Sequence, residues 1–115
     1  EIDLRNLMFT ASQKHSGPFS IRYPRGAGSI VDWRQPFEAI AIGTGRKIEA
    51  GEDIAILTIG AIGTQATEAI PLLKSRAISA AHYDMRFVKP LDEMLLHEFL
   101  QVNNCLKECW DTKTP

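Results

Sequence analysis

Apolar residues recur along this chain first at helical and then at strand spacing. Leu4, Leu7, Met8 and Ala11 fall at i, i+3, i+4 and i+7, which predicts a helix over 1–15 with that stripe facing inward. Ser16-Gly17-Pro18 ends it, because glycine loosens the backbone and proline cannot continue a helix. Phe19 to Tyr23 alternates as a short strand, and Pro24-Arg25-Gly26-Ala27-Gly28-Ser29 reads as a turn or loop. From Ile30 to Ile42, with Pro36 inside and no sustained period, the chain reads as a linker crossing a surface.

Beyond residue 42 the texture changes. Gly43-Thr44-Gly45-Arg46 and Glu49-Ala50-Gly51-Glu52-Asp53 bracket a short hairpin-like segment, Arg46 to Ile48. Ile54-Ala55-Ile56-Leu57-Thr58-Ile59 is a nearly unbroken apolar run, the pattern of a strand covered on both faces. Gly60-Ala61-Ile62-Gly63 turns the chain into a helix with Thr64 as its N-cap and Ile62, Ala66, Ala69, Ile70 and Leu73 at helical spacing. Pro71 lies inside that pattern, removes one donor, and predicts a kink or a break. Ala77 to Tyr83 reads as a second strand, leading into Asp84-Met85-Arg86. Pro90 precedes a third helix, with Asp92 and Glu93 in the first turn where the macrodipole favours anions. Its inward face is expected to be Leu91, Leu95, Phe99 and Val102. Strand, helix, strand, helix predicts an α/β fold with a parallel sheet, and a further strand is expected to complete the layer.

Composition narrows the function classes. The 115 residues carry 13 basic and 14 acidic side chains, a formal charge of -1, and 44% are hydrophobic. That apolar content excludes intrinsic disorder. The even charge balance excludes nucleic-acid binding by bulk electrostatics. No apolar run approaches the roughly 18 residues of a membrane span. Length alone predicts one domain, burying about two-thirds of its unfolded surface. Two cysteines, Cys105 and Cys109, make no disulfide framework, and a reducing, cytoplasmic setting is expected. Glu1-Ile2-Asp3-Leu4 has no initiator Met and reads as the start of a fragment.

Few residues point to chemistry. In Ile21-Arg22-Tyr23-Pro24-Arg25-Gly26, Pro24 forces an extended exit and Gly26 frees the backbone beside Arg25. A guanidinium fixed at such a junction suits a phosphate or carboxylate, since its planar fork binds oxyanions bidentately. The plainer alternative is a surface arginine paired with a carboxylate across the linker. Asp84 and Arg86, two apart near a strand end, stand where ligands collect in open α/β sheets. A brace holding the loop to Pro90 is the stronger reading of that pair. Gly43-Thr44-Gly45 and Gly60-Ala61-Ile62-Gly63 complete neither a GxGxxG nor a P-loop, so turn chemistry explains them better than a phosphate cradle. Cys105 and Cys109 are i, i+4 and His97 lies eight residues earlier, but structural zinc takes four ligands. His15, His82 and His97 have no nucleophile or carboxylate at catalytic spacing.

The order of segments resembles one enzyme family. Asp3-Leu4-Arg5-Asn6-Leu7-Met8 followed by Gly17-Pro18-Phe19-Ser20-Ile21-Arg22-Tyr23-Pro24-Arg25-Gly26 resembles the end of the pyrimidine-binding domain of the 1-deoxy-D-xylulose-5-phosphate synthases. Ile42-Gly43-Thr44-Gly45-Arg46, Gly51-Glu52-Asp53-Ile54-Ala55-Ile56-Leu57 and Tyr83-Asp84-Met85-Arg86-Phe87-Val88-Lys89-Pro90-Leu91-Asp92 resemble the start of their C-terminal, transketolase-type domain. The likeness runs from Glu1 to about Phe99. It implies residues 1–29 as the tail of a pyrimidine-binding domain, 30–42 as a linker, and 43–115 as an incomplete transketolase C-terminal domain. The implied fold is α/β, an incomplete three-layer sheet of βαβα order preceded by a helix-strand tail.

The implied activity condenses pyruvate with glyceraldehyde 3-phosphate, releasing carbon dioxide, with thiamine diphosphate and Mg²⁺, at the entry to non-mevalonate isoprenoid biosynthesis. The parent is expected to be a homodimer acting on small molecules, without nucleic acid or membrane. In the family the second Arg of the Arg-Tyr-Pro-Arg-Gly motif reaches the triose phosphate, which gives that role to Arg25. The family's Mg²⁺ and diphosphate motif, its thiazolium histidines and its activating glutamate have no counterpart in these residues. The chain alone is therefore expected to be non-catalytic and to bind no cofactor. Residues 103–115 match neither the next strand nor the glycine-rich stretch of the family and read as a frameshifted or artificial end. Two other expectations compete: a stand-alone interaction or regulatory module on a transketolase C-terminal fold, and a small nucleotide-binding α/β domain.

Overall fold

A computed structural model describes residues 2–13, 17–25, 32 and 34–102. Two compact units are present, residues 1–42 and 43–115.

The first unit is built on helix α1, Ile2–Ser12. Its inward face is polar. Asn6 and Thr10 are the buried residues, Leu4, Leu7 and Ala11 are half-buried, and Met8 is 61% exposed. The reason is a pair of hydrogen bonds that outranks the apolar stripe. The Glu38 amide donates to Asn6 Oδ1 at 3.3 Å and the Ile40 amide to Thr10 Oγ1 at 2.8 Å. These two i, i+4 side chains thus satisfy the backbone of an extended segment that pairs with no strand among the described residues. Arg5 adds a hydrogen bond to the Gln35 carbonyl and lies 4.3 Å from the Phe37 ring centre, and Phe9 stacks on Phe37 at 5.3 Å. Phe19 to Tyr23, expected as a strand, is irregular. Alternation alone cannot hold a strand, and the described residues of this unit offer it no ladder to join.

The second unit contains β1 (Arg46–Glu49), β2 (Ile54–Thr58), α2 (Ile62–Lys74), β3 (Ala80–Asp84) and α3 (Glu93–Val102). The sheet order is β1-β3-β2, with β1 antiparallel and β2 parallel to β3. The Arg46–Ile48 segment is therefore no hairpin with β2. It crosses over to pair with β3, with a register shift between Lys47 and Glu49. The β2 run, expected to be covered on both faces, is mostly half-buried. The apolar run of β2 is an edge strand in which only Thr58 is buried, whereas Ala-Ala-His-Tyr-Asp of β3 is central and buried throughout. Small residues explain why β3 tolerates that crowding. A side chain on Gly51 would collide with the Ala80 and Ala81 backbone, so the loop between β1 and β2 crosses β3 in contact with its main chain.

Successive strand residues face opposite ways, and the two largest fully buried side chains show what covers each face. His82 meets Thr67 of α2, and Tyr83 meets Phe99 of α3 edge-to-face at 5.7 Å. The helices therefore lie on opposite sides, giving three layers. Helix α2 starts at Ile62 rather than after Thr64, its N-cap Ala61 makes no side-chain cap, and it runs past Pro71 to Lys74 without breaking. Of its stripe, Ile70 is buried, Ala66, Ala69 and Leu73 are half-buried, and Ile62 is 53% exposed. On α3, Leu95 and Phe99 are half-buried but Leu91 is exposed, and the Val102 side chain lies outside the described residues. The Lys47 ammonium lies 2.7 Å from Glu98 and 5.4 Å from the Tyr83 ring centre, tying α3 to β1.

Candidate functional site

The carboxyl ends of β2 and β3 meet at Thr58 and Asp84, beside the start of α2. Ligands of open α/β sheets gather at such strand ends. Asp84, nearly buried, is fully engaged there. One oxygen accepts from Arg46 Nη2 at 3.2 Å and the other from the Arg86 amide at 3.2 Å. Arg86 has φ +53°, so the carboxylate holds the chain in a left-handed turn just past the strand. The brace reading of Asp84 and Arg86 is the one the geometry supports, and its second arm is Arg46, which sequence spacing did not single out. The Met85 amide donates to the Thr58 carbonyl at 2.9 Å and extends the ladder past β3.

Beneath this brace sits His82. Its Nε2 is 2.8 Å from Thr58 Oγ1 and its Nδ1 3.4 Å from Thr67 Oγ1, while Thr58 Oγ1 donates to the Tyr83 carbonyl at 3.3 Å. A neutral ring bridges the two threonine hydroxyls, donating through one nitrogen and accepting through the other, and Thr67 Oγ1 also donates to the Gly63 carbonyl at 3.0 Å. Burial holds the imidazole below its usual pKa of 6.5, Asp84 opposes this, and Arg46 adds to it. His82 is fully enclosed, so it organises the core and is closed to any substrate. The partners lie 15 and 24 residues away, beyond any spacing motif.

At the same end of β3, Asp92 does the work the macrodipole argument assigned to it, and more. Its Oδ1 accepts from the Leu95 amide and caps α3, and its Oδ2 accepts from the Gly45 amide, both at 2.9 Å. These bonds, Leu95 first and Gly45 second, hold the carboxyl below its ordinary 3.8. Gly45 admits this contact because it lies against Asp84 and Leu95; a Cβ there would stand 2.8 Å from the Asp84 carbonyl oxygen.

Arg25, the residue expected to bind phosphate, lies in an irregular, exposed segment of the first unit together with Arg22. Among the described residues neither guanidinium has a carboxylate ion-pair partner. Cys105, Cys109 and His15 lie outside the described residues, and His97 is exposed. Among the described residues no group of three or more His, Cys, Asp or Glu side chains is placed to hold a metal ion. No helix among them is long and apolar enough to cross a membrane. Asp84, the acidic side chain at the strand ends, is already held by Arg46 and the Arg86 amide, so this corner does not fit a magnesium diphosphate.

The model of the transketolase C-terminal domain matches residues 43–107. A 1-deoxy-D-xylulose-5-phosphate synthase of Cytophaga hutchinsonii is 59% identical over 98 residues, 84% of this chain and 15% of that protein. The synthase of Parabacteroides distasonis is 52% identical over 104 residues, 90% of this chain and 16% of the relative. Among solved structures, a split-gene transketolase described as an inactive β4 tetramer aligns with TM-score 0.56 and 28% identity, over 64% of this chain and 24% of that one. The chain spans about 15% of the length of these curated relatives.

Proposed function

Because this chain belongs to the transketolase C-terminal domain family, we propose that it is a segment of a 1-deoxy-D-xylulose-5-phosphate synthase. It would span the tail of a pyrimidine-binding domain over 1–29, a linker over 30–42 and the beginning of a transketolase-type domain from 43. The observation that carries the reading is the 59% identity, which runs over 98 residues and so through both units rather than the family domain alone. The parent enzyme joins pyruvate to glyceraldehyde 3-phosphate with loss of carbon dioxide, as a cytoplasmic homodimer. Thiamine diphosphate with Mg²⁺ supplies the electron sink for that carbon–carbon chemistry.

The role of these residues is binding and support. Arg25 offers a charged, planar fork to the phosphate of the triose, positioning its aldehyde without taking part in proton transfer. Its exposure supports this reading. The Asp84–Arg46–Arg86 brace and the Asp92 clamp both fix the chain around the carboxyl end of β3. The chain alone turns nothing over and binds no thiamine diphosphate.

Two experiments test the reading. Residues 1–99 replace the matching segment of the Cytophaga hutchinsonii synthase, and turnover of pyruvate and glyceraldehyde 3-phosphate is measured. Retained activity is expected, and Arg25→Ala in that chimera is expected to raise KM for the triose phosphate about 10- to 100-fold, the loss of one charge-assisted bidentate contact. A folded but inactive chimera refutes the assignment; an Arg25→Ala variant with unchanged KM refutes the role of Arg25. Calorimetry of the 115-residue chain with thiamine diphosphate and Mg²⁺ is expected to show no heat of binding, and micromolar binding refutes the non-catalytic reading.

A further inference from the structure

His82 is fully enclosed, yet the groups around it have a place for a second ring proton. Four polar contacts meet there: His82 Nε2 with Thr58 Oγ1, His82 Nδ1 with Thr67 Oγ1, Thr58 Oγ1 with the Tyr83 carbonyl, and Thr67 Oγ1 with the Gly63 carbonyl. Each contact needs one proton. Each hydroxyl carries one and a neutral imidazole carries one, so the neutral site is a proton short. The shortfall falls on Thr67, whose single proton is claimed by both the ring and the Gly63 carbonyl. The contact between ring and Thr67 is accordingly the longest of the four, 3.4 Å. An imidazolium supplies the missing proton. It donates through both nitrogens while both hydroxyls donate to their carbonyls.

The charges around the ring are mixed. Asp84, on the same face of β3, favours the charged ring, and Arg46 of β1 opposes it. Glu49 of β1, opposite His82 in the ladder, is paired with Lys74 of α2 at 3.6 Å. Thr58 of β2 and Gly63 and Thr67 of α2 bring no charge. Thr67 is exposed on its helix, so the buried Nδ1 is one hydroxyl away from water. We propose that His82 is a proton-operated latch between β3 and α2, which in acid takes up a second ring proton inside the folded chain and donates it to Thr67. The first turn of α2 lies close enough to read that proton, since a Cβ on Gly63 would stand 3.2 Å from Thr58 Oγ1 and 3.9 Å from the ring. Burial still disfavours the charge, so acid weakens the unit, but by a bounded amount. The loss grows only between the ordinary pKa of the unfolded chain and the lower one of the folded ring, and then stops. The latch is built from the second unit alone, and failure of the enzymatic reading would leave it unchanged.

The test follows the ring nitrogens of His82 by NMR in the 115-residue chain as pH is lowered, beside circular dichroism on the same samples. The expected result is a ring that gains its second proton below pH 6.5 while the native spectrum persists. In the acid form its Nδ1 proton should exchange about tenfold or more slowly than that of the exposed His97. Thr67→Val removes the acceptor at an exposed position and is expected to lower the proton affinity of the ring about tenfold. Thr67→Ser keeps the hydroxyl and is expected to leave that affinity unchanged. A ring that stays neutral until the native spectrum is lost overturns the proposal. So does a Thr67→Val variant that titrates with the parent, or a Thr67→Ser variant that shifts as far as the valine. An Nδ1 proton exchanging as fast as that of His97 also overturns it, since Thr67 would then hold nothing. Should Thr67→Val fail to fold, the exchange of that proton in the unmodified chain decides alone.

Discussion

Replacing Asp92 by alanine removes two acceptors at once, one capping α3 and one holding Gly45. Loss of an N-cap costs typically about 1 kcal/mol, and loss of a hydrogen bond to a charged group about 1.5–3 kcal/mol. Asp92 is only partly buried, so water replaces some of what is lost and the lower part of the sum applies. The expected destabilisation is about 2–3 kcal/mol. For a chain of this size the urea slope is about 1–3 kcal/mol/M, so the unfolding midpoint falls by roughly 1–2 M with the slope unchanged. Asp92→Asn separates the two bonds. An amide has one accepting oxygen and one donating nitrogen, so it caps Leu95 or holds Gly45, never both, and should cost about half as much. The pH dependence has a definite sign. The folded-state pKa of Asp92 lies below the ordinary 3.8, so its contribution is complete above that value and disappears as pH falls through the lower, folded one. The gap between the parent chain and Asp92→Asn should therefore close in strong acid. An alanine variant within about 0.5 kcal/mol of the parent at neutral pH, the scatter of an ordinary surface substitution, would refute the clamp.

Gly51→Ala should destabilise by at least about 2–3 kcal/mol, because the new methyl meets the main chain of Ala80 and Ala81 rather than a movable side chain; urea unfolding measures it. His82 is held neutral by burial, so the unfolded chain binds more protons than the folded one below pH 6.5, and stability falls as pH drops through that region. His82→Gln should flatten this slope in melting curves taken at successive pH values, even if the variant is less stable throughout. Arg46→Gln, whose side chain is 44% exposed, should cost no more than about 1 kcal/mol and lose that small effect in high salt.

Local signals marked the second unit well. The β-branched run before Gly60, the helical spacing after it and Asp92 at the head of α3 each depend on neighbours within one turn or one strand, which is what a sequence displays. Long-range pairings were hidden. Nothing near Asn6 or Thr10 announces that these polar side chains, and not Leu4 or Leu7, will receive the amides of residues about thirty positions away. Arg46 gives no hint that it meets Asp84, since the antiparallel pairing of β1 with β3 skips over β2 and α2 altogether.

Apolar content therefore does not mark the centre of this sheet, for a physical reason. A central strand must be close-packed on both faces and both edges, and β3 achieves this with two alanines that let the loop at Gly51 approach, a histidine neutralised by burial and two threonines, and a tyrosine capped by Phe99. Its polar groups cost little because each finds a partner. Strand β2 carries the more apolar sequence, yet among the described residues no strand pairs with its other edge and part of its apolar surface is exposed to water. Apolar content thus measures how much surface a strand has to bury, while position in the sheet records how much has been buried. In this unit the two disagree most at Leu57 and Ile59, which are apolar yet 40% and 41% exposed.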